Sequence, residues 1–192
     1  GLHSNNLSGS IPPSIASLSL FNSLDLSSNQ LSGPIPEEIG AMLALTRLDL
    51  SNNQLSGSIP ATLSGLTGIK YLDLHSNSLS GSIPPSIASL GLFNALDLSS
   101  NQLSGPIPEE IGAMLALTRL DLSDNHLSGS IPATLSGLTR MASLILTVNQ
   151  LTGPIPAGIS LLTRMKTLSL AYNQLSGPIP TSIGSLATLT YL

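Results

Sequence analysis

The chain has 192 residues, 41% of them hydrophobic and only 8% charged, with no Cys, no Trp, two Phe and three Tyr. Its core must be aliphatic, and charge is scarce beside the roughly 25% of an ordinary soluble domain. The net charge of -4, with Arg47, Lys70, Arg119, Arg140, Arg164 and Lys166 scattered, excludes the basic face that nucleic-acid binding needs. No apolar run approaches the ~18 residues of a membrane-spanning helix.

In chain order the sequence is one paragraph written again and again. Gly1 to Ser23 is a unit without its first leucine, followed by LDLSSNQLSGPIPEEIGAMLALTR (Leu24 to Arg47), LDLSNNQLSGSIPATLSGLTGIKY (Leu48 to Tyr71) and LDLHSNSLSGSIPPSIASLGLFNA (Leu72 to Ala95). The unit of Leu24 to Arg47 then returns unchanged from Leu96 to Arg119. After it come LDLSDNHLSGSIPATLSGLTRMAS, LILTVNQLTGPIPAGISLLTRMKT and LSLAYNQLSGPIPTSIGSLATLTY, ending at Tyr191. The period is 24, and a fixed period of 20 to 50 residues dictates stacked architecture.

Each unit opens with Leu-x-Leu, as in Leu24 and Leu26. That alternation predicts a short strand with both leucines in one core and Asp25 and Ser27 facing outward. An asparagine follows at Asn5, Asn29, Asn53, Asn77, Asn101, Asn125, Asn149 and Asn173. An amide at a stacked turn is suited to bond backbone groups of neighbouring coils that would otherwise be buried unpaired. LSGPIP then predicts a second short extended piece, where Gly33 permits close approach or positive φ and Pro36 stops the ladder. Ile39, Met42 and Leu45 follow at helical or 3₁₀ spacing and close the coil. One coil buries little; eight stacked coils bury a continuous core.

These residues resemble the plant-type leucine-rich repeat, LxLxxNxLSGxIPxxLGxLxxLxx, over essentially the whole chain. The resemblance implies an α/β repeat solenoid: a right-handed superhelix of eight 24-residue coils, with a parallel sheet on the concave face and short second strands and 3₁₀ or helical turns outside. Residues 1–192 are expected to form one uncapped solenoid, a segment of a longer array, because the family normally protects its end coils with atypical polar segments. The resemblance also implies an extracellular, non-enzymatic protein without a cofactor, which binds partners on its concave strands.

Those strands nominate Arg47, Asp49, Lys70, Tyr71, Asp73, His75, Arg119 and Asp121, with Lys70, Tyr71, Asp73 and His75 the most ligand-like group. Asp25, Asp49, Asp73, Asp97 and Asp121 form a ladder of like charge that a Ca²⁺ ion would relieve. Arg47 and Arg119, two residues before Asp49 and Asp121, already neutralise part of it, so no metal is expected. Asp73, His75 and Ser76 invite a hydrolase reading, but side chains two apart on a strand lie ~7 Å apart, beyond hydrogen-bond reach. Asn6-Leu7-Ser8 is a glycosylation sequon and nominates Asn6. Ile145, Val148 and Tyr172 replace polar residues late in the chain and offer an apolar partner patch.

Leu7 to Thr67 and Leu79 to Thr139 differ at four positions only: Ser19 against Gly91, Ser23 against Ala95, Asn52 against Asp124, and Gln54 against His126. Such copying favours a repetitive structural or adhesive scaffold, glycosylated and filament-forming through head-to-tail self-association, with protein or polysaccharide as partner. The alternative is a recognition module of the receptor or wall-enzyme-inhibitor type. Ice binding ranks lower, since the outer row is mostly Ser and lacks the methyl of Thr.

Overall fold

The structure is a computed structural model that describes residues 1–90 and 94–192. It is the expected solenoid of eight coils. The leucine pairs form a seven-stranded parallel inner sheet, with strands Ser23–Asp25, Arg47–Asp49, Tyr71–Asp73, Ala95–Asp97, Arg119–Asp121, Ser143–Ile145 and Thr167–Ser169 stacked in sequence order. The second extended pieces form an eight-stranded parallel outer sheet running from Ser8–Ser10 to Gln174–Leu175. Each coil then turns through a five-residue 3₁₀ helix, such as Glu37–Ala41 or Glu109–Ala113.

Proline sets where those turns begin. Pro36, at φ -62° and ψ 133°, precedes the first helix residue and accepts from the Ile39 N–H, and Met42 N–H then bonds Ile39 at 3.0 Å. A coil that advances by one sheet spacing has room for one tight i→i+3 turn and no long helix.

Leu48, Leu50, Leu72, Leu74, Ile39, Met42 and Leu45 are shielded from solvent, and one apolar cluster runs from Ile11 to Leu186. Each such leucine contributes roughly 1.5–3 kcal/mol by leaving water. That gain exists only once neighbouring coils supply the other half of the cavity.

Polar satisfaction is as repetitive as the core. The Asn101 amide donates to the carbonyls of Leu98 and Ser99 in its own coil and of Leu74 in the preceding one, at 3.0 to 3.2 Å. Its carbonyl accepts the Leu79 N–H at 2.9 Å. Asn29, Asn53, Asn77, Asn125, Asn149 and Asn173 repeat the pattern, while Asn5 bonds within its own coil, to Leu2 and His3. Among the described residues no buried side-chain polar atom lacks a partner.

Two backbone demands accompany this stacking. Gly33 sits at φ 76°, as does its equivalent in every coil to within a few degrees. The residue before each asparagine is also left-handed, and there the chain uses Ser4, Ser28, Asn52, Ser76, Ser100 and Asp124, but also Val148 and Tyr172. Short polar side chains tolerate that conformation, whereas a β-branched or bulky one is strained in it.

Replacing Asn101 by Ala strands the Leu79 N–H and the Leu74 and Leu98 carbonyls, so we expect a loss of about 2–5 kcal/mol in denaturant unfolding; a loss below about 1 kcal/mol would contradict the role drawn here for the amide. Gly40 tests the coil spacing. A Cβ there would stand 2.1 Å from the Thr62 carbonyl oxygen, while one on Gly184 meets nothing within 4 Å. Gly40→Ala should lower the thermal midpoint clearly, with Gly184→Ala unchanged.

Candidate functional site

Register on the inner sheet places Ser23, Arg47, Tyr71, Ala95, Arg119, Ser143 and Thr167 in one row, and Asp25, Asp49, Asp73, Asp97, Asp121, Ile145 and Ser169 in the next, two residues along. Both rows leave the core, yet Asp49, Asp73 and Asp121 are each only 6% exposed, far from the solvated ladder that alternation predicts. The row in front covers them. Arg47 lies 4.0 Å over the Tyr71 ring and also donates to Asp49 at 2.8 Å. The Tyr71 hydroxyl donates to Asp73 at 2.7 Å. Arg119 repeats the ion pair with Asp121 at 2.8 Å and approaches Asp97 at 3.7 Å. Its neighbours in the row are Ala95 and Ser143, so it has no ring to stack on.

The expectation that residues two apart here are out of reach is wrong. His75 Nδ1 lies 2.6 Å from Asp73 Oδ1, and the Ser27, Ser51, Ser99 and Ser123 hydroxyls donate to Asp25, Asp49, Asp97 and Asp121 at 2.6 to 2.7 Å. The strand ends at each aspartate and the backbone bends toward the left-handed residue, so the carboxylate receives both the N–H and the side chain two positions on. These bonds stabilise each carboxylate, and Arg47 and Arg119 offset part of the ladder's like charge. Ser two residues after Asp, as LDLS, was the available signal for them.

Asp73 and His75 therefore do form a carboxylate–imidazole pair. The second ring nitrogen of His75 meets the Asn52 amide at 3.1 Å, which suits the tautomer with hydrogen on Nδ1 and offers no nucleophile to activate. Asp73, His75 and Asp97 also present ligand atoms within 4.8 Å of one another, the group best placed to hold a cation. Those atoms already have partners, because Asp73 binds Tyr71 and His75 while Asp97 binds Ser99 and faces Arg119.

Lys70 is exposed, and its backbone N–H bonds Thr46 at the edge of this cluster. Asn6 is exposed in the first coil, where the Gln30 amide donates to its side-chain oxygen. Tyr172 and Val148 are 81% and 42% exposed, on neighbouring coils.

Two ionisations follow from these contacts. Burial tends to raise the Asp25 pKa, but the Ser27 hydroxyl and N–H, with the charges of His3 and Arg47, hold it below the ordinary 3.8. Burial, the hydrogen bond to Asp73 and the charges of Asp73 and Asp49 push the Tyr71 phenol well above 10.0, with Arg47 opposing.

With this geometry in view, the family is plain. Leucine-rich-repeat models match residues 44–103 in one form and residues 21–42, 94–114, 116–138 and 164–186 in another, together well over half the chain. The chain belongs to the leucine-rich-repeat proteins. Among solved structures it resembles the Arabidopsis receptor kinase HAESA in complex with the peptide hormone IDA and the co-receptor SERK1, with 35% identity and a TM-score of 0.95 over 100% of this chain and 33% of that one. It resembles PEPR1 with AtPEP1 at 35% identity and a TM-score of 0.94, over 98% of this chain and 26% of that one. A plant ice-binding protein is similar at 33% identity and a TM-score of 0.85, over 99% of this chain and 62% of that one. The chain thus spans a quarter to a third of the HAESA and PEPR1 chains. No curated protein sequence matches it. Among the described residues no helix is long and apolar enough to cross a membrane.

Because the folded state favours the neutral Tyr71 phenol, its stabilisation is complete below pH 10.0 and is lost only as pH rises through the raised value. Phenolate absorbance developed around pH 10.0 should therefore be equal in the wild type and in Tyr71→Phe. A smaller amplitude in the variant at that pH would show Tyr71 ionising freely.

Proposed function

We propose that this chain is a non-catalytic, extracellular recognition segment that binds a peptide or protein on the exposed face of the inner sheet, centred on Arg47, Lys70, Tyr71, Asp73 and His75. One observation carries the reading: Arg47 stacked on Tyr71, above buried Asp49 and Asp73, makes a rigid patch with both charge and an aromatic face. Such anchors dominate interface energetics, since little side-chain entropy remains to be lost on binding. The equivalent positions in the neighbouring coils are Ser23 and Ala95, and Arg119 farther along the row repeats the ion pair without a ring, so the stacked pair is distinctive within an otherwise copied surface.

The similar receptor kinase HAESA, solved with a peptide hormone and a co-receptor, supports recognition more than the repetitive scaffold that the copying favours. Head-to-tail self-association, filaments, glycosylation at Asn6 and polysaccharide contact draw no support from it. Ice contact would use the outer sheet, whose exposed row is Ser56, Ser104 and Ser176 with Thr152. Serine there lacks the methyl that gives such a face its apolar contact.

Selection of peptides from a displayed library on the wild type tests the proposal. Selected peptides should lose about tenfold or more in affinity on Tyr71→Ala or Arg47→Ala and keep it on Arg119→Ala, whose arginine has no ring partner. Equal binding to all three variants would place recognition elsewhere.

A further inference from the structure

Two clefts of the molecule are copies of each other and lie away from the inner-sheet patch. One, of about 560 Å³, is lined by Pro13, Pro34, Pro36 and Pro60 with Glu37 and Glu38. The other, of about 610 Å³, is lined by Pro85, Pro106, Pro108 and Pro132 with Glu109 and Glu110. Every lining residue of one has its counterpart 72 positions on in the other, as Glu37 has Glu109, and the positions where the two blocks differ lie in neither. Both volumes fall within the ~300–1,000 Å³ of ligand clefts.

Three consecutive coils are needed to build such a groove. Ser-Ile-Pro-Pro supplies one wall, Gly-Pro-Ile-Pro-Glu-Glu the floor and the acids, and Ser-Ile-Pro the far wall. The later coils keep Gly-Pro-Ile-Pro but follow it with Ala157 or Thr181, and the cleft beside Ile155 and Pro178 shrinks to about 200 Å³.

All four glutamates of the chain stand at these two grooves. They are exposed, and among the described residues none makes an ion pair. The protein therefore presents an apolar, proline-walled trough beside a pair of uncompensated carboxylates, twice. Three coil steps at ~4.8 Å separate the two, or about 14 Å. An extended peptide rises ~3.4 Å per residue and returns to the same face every second residue, so side chains four apart face the same way ~13.6 Å apart.

We propose that the two grooves together bind an extended basic peptide that carries Lys or Arg every fourth residue, with a small apolar residue between them facing the prolines. Each cation meets one glutamate pair, and the intervening backbone bridges the coils. The second groove acts at the effective concentration set by the first, so two weak sites act as one firm one.

The probe is a fluorescent peptide of repeated Lys-Ser-Val-Ser units with three lysines, read by polarisation on the whole chain. It should bind the wild type, bind Glu37→Gln/Glu38→Gln about tenfold or more weakly, and not bind the variant with all four glutamates changed to Gln. Added salt should weaken it. A peptide of the same composition with lysines three apart, on alternating faces, should bind no better than a single site. Unchanged binding by the four-fold variant, or equal binding of the respaced peptide, would overturn the proposal. Tyr71→Ala should leave this affinity unaltered, so the outcome is separable from that of the inner-sheet reading.

Discussion

The bond on which the fold depends is the one that the recurrent asparagine makes across coils. A chain that turns every few residues leaves carbonyls and N–H groups pointing into the stack, where water does not reach. Asn101 closes two of these between coils, accepting from Leu79 and donating to Leu74, while holding its own turn through Leu98 and Ser99. A serine is too short to span both, and a leucine would satisfy neither. Because the amide couples each coil to the one before, it also fixes their spacing, and from that spacing follow the in-register sheets and the tight contact at Gly40.

Once the stack is fixed, the outward positions are free to differ, and the differences are where function has to be sought. On the inner sheet a single row carries Ser23, Arg47, Tyr71 and Ala95 side by side, and the chemistry of the patch comes from that order. The buried aspartates below give it rigidity, since Arg47 and Tyr71 are each tied to a carboxylate that receives a second set of bonds from the turn. On the opposite side, the grooves use the same coil spacing as a ruler, setting two acidic sites at a fixed interval.

The fold was legible because every coil repeats the same apolar period and the same turn residues. The individual site positions could be named as outward-facing, but their relations could not be read. Asp73 and His75 were expected apart on a flat strand, whereas the strand stops at Asp73 and the backbone curls so that the imidazole reaches it. The left-handed residue before each asparagine was likewise hidden. Ser28 and Asn52 fit that conformation without notice, and only Val148 and Tyr172 mark it as a demand of the backbone.

The sequence alone determined the coil length, the aliphatic core and the place of each strand and turn, because those depend on periodicity and on residues next to one another in the chain. The tertiary structure alone decided that Arg47 covers Tyr71, that Asp49 and Asp73 are buried, and that two proline-walled grooves each draw on three coils. Arg47 and Tyr71 lie one coil apart and each groove spans three coils, while the bonds to Asp49 and Asp73 join residues two apart whose side chains meet where the strand ends and the backbone bends.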